Sequence, residues 1–252
     1  MDYYKQIFKR KSFHLFKDPG TISEEELEDI HTFADNIVPL YKDIRTAVRI
    51  VPEGETTCKR GAEYCILFYS ERKGEYLRNI GYMGEQMDLY LASRNIGALW
   101  FGIGRPEKLS VDGLDFVIMI AIAKMPESKF RKDMFKAKRK PLEEIWSGDL
   151  PAYANIVRFT PSACNTQPWK VEDTDQELSV YRYKKPGKRG IMPADKVVYY
   201  NRIDMGILLF ILETCLGQEG IVFERELLEE QEDEAETVMV ARYRLSDFGK
   251  GY

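Results

Sequence analysis

Two hydrophobic periods alternate along the chain, and the switches between them mark out the elements. Residues 2–10 read as a short helix with Tyr4, Ile7 and Phe8 on one side. Ser23-Glu24-Glu25-Glu26 is a capping-box signature, with Ile22 before it and Leu27 inside it as a hydrophobic staple. Leu27, Ile30, Phe33, Ala34 and Ile37 then continue at helical spacing. Residues 46–51 and 64–69 have strand character. Residues 77–95 predict a long helix striped by Ile80, Met83, Met87, Tyr90 and Leu91, with Gly97 expected to end it in the left-handed conformation. The apolar runs 98–101 and 116–123 predict buried strands.

Beyond them, 129–140 is a basic loop and 142–146 a helical turn, and Asp149 is placed to cap a helix running to about Val157. Residues 170–172 and 178–183 are strand-like. The most apolar helix spans 200–216 and is closed by glycines at 217 and 220. Residues 221–227 and 237–243 alternate as half-buried strands do, joined across the acidic stretch 229–236, read as a solvated hairpin loop with an interaction surface as the alternative. A faint repeat runs through this series: a long helix, a glycine and a short strand at 77–101, and again at 200–223.

Composition narrows the class. The 252 residues suffice for one large domain or two small ones with a real core. A hydrophobic share of 44% with 31% charged residues is that of a water-soluble fold. The net charge of −4 argues against a whole-surface nucleic-acid binder. Residues 1–5 lack an apolar core, so no signal peptide is expected, and the run 116–123 is too short to cross a bilayer. Cys58, Cys65, Cys164 and Cys215 are scattered without a C-x-x-C pair, which disfavours zinc or a disulfide framework and points to a cytoplasmic, reducing setting. No metal site is expected.

Two segments carry candidate chemistry. Pro161-Ser162-Ala163-Cys164-Asn165-Thr166-Gln167-Pro168-Trp169 sets small residues before two amides two positions apart, then a proline and a large aromatic. Asn165 and Gln167 each offer a donor and an acceptor, as the edge of a flat heteroaromatic ring requires, and the loop's N–H groups are candidates to bind an acceptor. A capped loop anchored by Trp169 is the alternative. In Arg10-Lys11-Ser12-Phe13-His14-Leu15-Phe16, two cations and a hydroxyl follow a short helix. The alternation of Phe13 and Leu15 with Ser12 and His14 puts the polar groups on one side of an extended chain. Arg and Lys suit a phosphate; a charged surface turn is the alternative. Gly102-x-Gly104 lacks the rest of a dinucleotide fingerprint, and neither a P-loop nor His-Glu-x-x-His occurs.

Together these motifs resemble the nitroreductase family. Arg10-Lys11-Ser12-x-His14-x-Phe16 is similar to its Arg-Arg-Ser-x-Arg-x-Phe opening, and Pro161-Ser162-Ala163-x-Asn165-x-Gln167-Pro168-Trp169 to its Ala-Pro-Ser-x-x-Asn-x-Gln-Pro-Trp segment. Glu85-Gln86-Met87-Asp88-Leu89 with Gly97 and Trp100 resembles the central helix and its following strand, and 138–145 resembles the closing Arg-x-Pro-Leu-x-Glu segment. Motif order departs from the family: the amide segment lies past residue 160 rather than soon after the opening cations.

The resemblance implies an α+β fold of two similar α/β halves around mainly antiparallel sheets. The halves, 1–147 and 148–252, are expected to form an intramolecular pseudo-dimer in which each keeps one complementary half-site for a single FMN. It further implies that Arg10, Lys11 and Ser12 hold the phosphate and flavin edge, with His14 in place of a second cation and Arg139 closing over the phosphate. Pro161, Ser162, Ala163, Asn165 and Gln167 line the flavin from the other half, and Trp100 and Gly102 border the ring; a buried strand with a bulge glycine is the alternative for that last pair. The implied activity is FMN-dependent reduction of nitro compounds, quinones or similar small acceptors by NADH or NADPH, with no protein nucleophile. The chain is expected to act as a monomer mimicking the family dimer, without nucleic-acid or membrane partners. The competing expectations are a flavin-binding storage, sensing or interaction protein without turnover, and a degenerate scaffold that binds no flavin.

Overall fold

The structure is a computed structural model that describes residues 1–174, 176–185, 187, 189–230 and 235–246. It divides into two compact units, Met1–Met134 and Phe135–Tyr252. The division falls inside the basic loop, ahead of the boundary expected at 147/148, which instead runs through a short strand, Trp146–Gly148.

In the first unit, α1 (Tyr3–Lys9) is capped by Asp2, whose side chain accepts the Lys5 N–H at 3.1 Å. The predicted capping box opens α2 (Glu24–Asp35): Ser23 Oγ accepts the Glu26 N–H and Glu26 accepts the Ser23 N–H, both at 3.1 Å. Five strands form one sheet, β1 (Thr46–Pro52), β2 (Tyr64–Ser70), β3 (Ile96–Trp100), β4 (Ser110–Val111) and β5 (Leu114–Lys124), in the order β1-β2-β5-β3 with β4 against β5. All of these pairings are antiparallel. The long helix α3 (Tyr76–Ser93) packs on α1, β2, β3 and β5. Its end is turned by Asn95, at φ 56°, and not by Gly97. Asn tolerates that region through its short polar side chain, and Gly97 is needed elsewhere: it sits in β3, where a Cβ would stand 2.9 Å from the Phe13 ring and 2.7 Å from Met125.

The second unit carries α4 (Leu142–Ile145), β6 (Trp146–Gly148), α5 (Ala152–Val157), β7 (Trp169–Thr174), β8 (Glu177–Tyr183), α6 (Val197–Gln218), β9 (Val222–Leu227) and β10 (Thr237–Ser246). The sheet order is β6-β7-β8-β10-β9, antiparallel except for β6 on β7. Pro151 rather than Asp149 precedes α5, and no side chain caps it; Pro fits a helix start because the missing N–H has no partner there. Of the acidic stretch expected to be solvated, 231–234 lie outside the described residues. Glu230 departs from the expectation. Its side chain is buried against Arg182 (2.6 Å) and touches Arg202 (2.8 Å), and these cations outweigh the cost of burial and hold its carboxyl below the usual range.

The two units share a strand path. In each, two antiparallel strands (β1-β2; β7-β8) lead into a long helix (α3; α6), then an edge strand (β3; β9), then a strand inserted between that edge and the second strand (β5; β10). The helix–strand repeat seen in the sequence is thus the visible part of a repeated topology. The fold is α+β with antiparallel sheets.

Candidate functional site

In the first unit the backbone of Arg10 caps α1, its N–H donating to Gln6 O at 2.8 Å. Ser12 forms a bridge to Ala98 of β3, and the Phe13 N–H donates to Ala98 O at 3.0 Å. Those contacts turn the Arg10 side chain inward, where it is buried on α3. Arg10 Nε and a terminal nitrogen reach Asp88 Oδ2 at 3.0 and 2.9 Å, and the terminal nitrogen also donates to Ser12 Oγ at 3.3 Å. Trp100 Nε1 donates to the same Asp88 oxygen at 2.9 Å, with its ring lying over Gly84, where no Cβ would fit. Arg10, Ser12 and Trp100 are therefore brought together around one carboxylate.

Glu85, one helical turn from Asp88, is fully buried, and neither of its oxygens has a hydrogen-bond partner among the described residues. Burial, reinforced by Asp88 and opposed by Arg10, pushes its carboxyl well above the usual range. Burial would lower the Arg10 guanidinium, but Asp88 and Glu85 outweigh it and hold the group more firmly protonated than usual. Arg131 stands in the same field: burial and then repulsion from Arg10 lower its guanidinium, while Asp88 raises it. Lys11 is exposed, donating to Lys129 O at 3.1 Å and lying 5.1 Å from the Phe13 ring centroid. His14 is exposed, and Gly102 sits in the turn after β3. The predicted alternation fails at Leu15, which is exposed; the chain bends at His14, so that Phe16, stacked on Phe13 at 6.0 Å, enters the core in its place.

In the second unit the amide-bearing segment is a tight loop with three non-glycine residues in the left-handed region: Cys164 (φ 50°), Asn165 (φ 55°) and Gln167 (φ 44°). Such backbone carries strain that surrounding bonds must hold. Gln167 is fully buried and supplies several of them. Its Oε1 accepts the Lys140 N–H at 2.7 Å, its Nε2 donates to Arg158 O at 3.2 Å, and its own N–H donates to Ser162 Oγ at 3.0 Å. Asn165 Nδ2 donates to Lys138 O at 3.2 Å. Asn165 and Gln167 thus clasp the 138–140 segment on either side of Arg139, whose guanidinium donates to Lys138 O (2.9 Å) and Phe159 O (3.3 Å). Pro161, Ser162 and Ala163 are half-buried, and Asn165 is exposed.

The loop's backbone does not offer the open row of N–H donors expected from the sequence. Ala163 N–H goes to Asp204, Asn165 N–H to Ser162 O, Thr166 N–H to Ala163 O and Gln167 N–H to Ser162 Oγ. Its outward polar groups are side chains. Trp169, at the start of β7, is fully buried.

Sequence reasoning missed Asp88 and Glu85 as neighbours of Arg10, Arg131 within the basic loop, and Asp204 under the amide loop. The signal was available for Asp204, the one acidic residue between Lys196 and Glu213 in a run of apolar residues. Among the described residues no group of three His, Cys, Asp or Glu side chains could hold a metal ion, and no helix is long and apolar enough to cross a membrane.

Solved structures resemble this chain. A "putative nitroreductase" of Thermotoga maritima matches with a TM-score of 0.60 at 19% identity, over 97% of this chain and 94% of that one. A nitroreductase family protein of Clostridium difficile 630 matches at 16% identity over 60% of this chain and 100% of its own, with a TM-score of 0.44. A "putative nitroreductase in complex with FMN" of Desulfovibrio desulfuricans matches at 19% identity over 60% and 99%, with a TM-score of 0.43. A search of curated proteins found no match. The family model described as "Putative TM nitroreductase" matches residues 2–215, most of the length, and the chain accordingly belongs to this nitroreductase family.

Proposed function

We propose that the chain is an FMN-dependent NAD(P)H oxidoreductase that reduces nitro compounds, quinones or similar small acceptors. Family membership supports the oxidoreductase class, and the donor chemistry of the first unit supports the cofactor. Arg131 is lowered first by burial and then by repulsion from Arg10, and exposed Lys11 follows Arg10 in the chain. Asp88 offsets part of that charge, and a phosphate group relieves the remainder. We assign to the flavin Arg10, Lys11, Ser12, Trp100 and Gly102 from the first motif region, with His14 at its margin, and Arg139, Pro161, Ser162, Ala163 and Asn165 from the second. Gln167 fastens the loop that carries them. Each motif occurs once in the sequence, so the reading calls for one FMN per chain.

FMN held by these residues would supply hydride-transfer redox chemistry. The protein's part is to bind and orient. Arg10, fixed by Asp88 and Ser12, is a preorganised cation whose field favours negative charge nearby. Asn165 presents an amide to a ring edge from an exposed position. The scattered thiols fit a cytoplasmic setting. The test is anaerobic addition of NADH and, separately, NADPH to the FMN-loaded protein. Bleaching of the flavin's visible absorption, restored by a nitroaromatic or a quinone, is expected. Loaded protein whose flavin resists both nicotinamides contradicts the enzyme reading and leaves a flavin-binding module.

A further inference from the structure

The helix α6 is apolar through its middle, yet two of its buried residues are polar: Asn201 and Asp204, three positions apart on one face. Polar groups in such a place weaken burial unless their bonds are used. Each spends one oxygen on the same loop. Asp204 Oδ1 accepts the Ala163 N–H at 2.9 Å, and Asn201 Oδ1 accepts the Thr166 hydroxyl at 3.1 Å. Between those two attachment points lie Cys164 and Asn165, both left-handed and both exposed. Asp204 Oδ2 is buried without a hydrogen-bond partner. Burial pushes the Asp204 carboxyl up to about 8 against the opposing effect of the Ala163 N–H and Thr166, so the group is held largely as the neutral acid near pH 7. A neutral acid anchors the loop by its geometry and not by its charge, which an amide of the same shape can reproduce.

We propose that Asp204 is the positioning residue of the amide-bearing loop: its carboxyl, seated on α6, holds Ala163 so that the strained residues after it keep the geometry that presents Asn165 to the cofactor. Asn201 braces the other end through Thr166. This rests on the assignment of the loop to the flavin, and it adds a residue outside the family motif.

Cys164 reports on the loop without any flavin. It is exposed, whereas Cys58, Cys65 and Cys215 are buried. Its Cβ is also packed close to Gly190, where a Cβ would stand 3.0 Å away. The experiment measures the iodoacetamide alkylation rate of Cys164 and the FMN dissociation constant in the full chain, for wild type, Asp204→Asn and Asp204→Ala. Loss of the anchoring acceptor in Asp204→Ala is expected to raise the alkylation rate about tenfold and weaken FMN by about tenfold, the scale of one well-placed hydrogen bond. Asp204→Asn is expected to restore both to within about twofold of wild type. An Ala variant that matches wild type in both readings, or an Asn variant as altered as the Ala variant, overturns the proposal. Should Asp204→Ala not fold, Thr166→Val tests the other brace; several-fold faster alkylation supports the proposal and an unchanged rate overturns it. If alkylation follows the expected order while no version takes up FMN, the positioning role stands and the functional reading falls.

Discussion

The two units run the same strand path but solve the problem of a buried aspartate in opposite ways. In the first, Asp88 on α3 receives three donors from two side chains, Arg10 and Trp100, so the acid is matched by a full charge and an indole N–H. In the second, Asp204 on α6 accepts one backbone N–H, that of Ala163. The first arrangement fixes a cation; the second fixes a loop. A repeated topology thus supplies two different tools, a rigid positive centre and a braced strained turn, from long helices in corresponding places. The segments that follow the short helices differ in the same sense. After α1 comes Arg10, drawn into the core by a carboxylate; after α5 comes Arg158, which donates to Asn155 Oδ1 at 3.1 Å and Lys140 O at 3.2 Å without an acid.

The sharpest way to break this contrast is to remove the cation. Arg10→Met is expected to destabilise the fold by about 3–5 kcal/mol, since it leaves Asp88 buried without its charge partner. Chemical denaturation measures this; a loss below about 1 kcal/mol would mean that the pair is not the organising contact of the first unit.

Next in size is the pH response of the second unit. Asp204 holds its proton more tightly in the folded chain than in the unfolded one, so folding stability falls as pH rises from about 4, the ordinary carboxyl value, to about 8 and is level beyond. Asp173, pushed up to about 6 by burial and by Asp149, adds a separate decline confined to lower pH. Asp204→Asn removes the first contribution and keeps the second. The variant is expected to match wild type near pH 5 and to exceed it by on the order of 2–4 kcal/mol near pH 9. Parallel stability curves for the two proteins would sink the description of Asp204 as a buried neutral acid.

A smaller effect is expected at Gln167. Gln167→Leu deletes both amide bonds and leaves the Lys140 N–H and Arg158 carbonyl without that partner, a loss of about 1–3 kcal/mol. Urea midpoints would register it; a neutral outcome would show that the clasp around Arg139 is dispensable.

Most of the scaffold was legible in the sequence because its signals are local. The capping box at Ser23, the stripe on α3, the apolar run of β5 and the helix–glycine–strand repeat all express hydrophobic period or backbone capping, which the chain states directly. The misreadings have physical reasons. Gly97 looked like a helix end, but a close approach by Phe13 and Met125 claims it and Asn95 makes the turn. Leu15 gave up its expected place to Phe16 because the chain bends at His14. The loop's N–H groups could not be known to be occupied, because the groups that take them come from Asp204, about forty residues later in the chain, and from Ser162's own turn. The motif residues named the candidate site; the contacts that organise it, Asp88 with Arg10 and Asp204 with the Ala163 N–H, are set by tertiary packing, and although Asp88 lies in a segment resembling the family's central helix, nothing in the sequence pairs it with Arg10.

The proposal to be tested is that the chain takes up one FMN and that residues of both motifs are needed for it. Titration of the purified chain with FMN, followed by absorbance and quantified against protein concentration, tests it most directly. Saturation at one FMN per chain is expected, abolished both by Lys11→Glu in the first motif and by Asn165→Asp in the second. Two equivalent flavins per chain, no uptake at all, or uptake untouched by either change would contradict it.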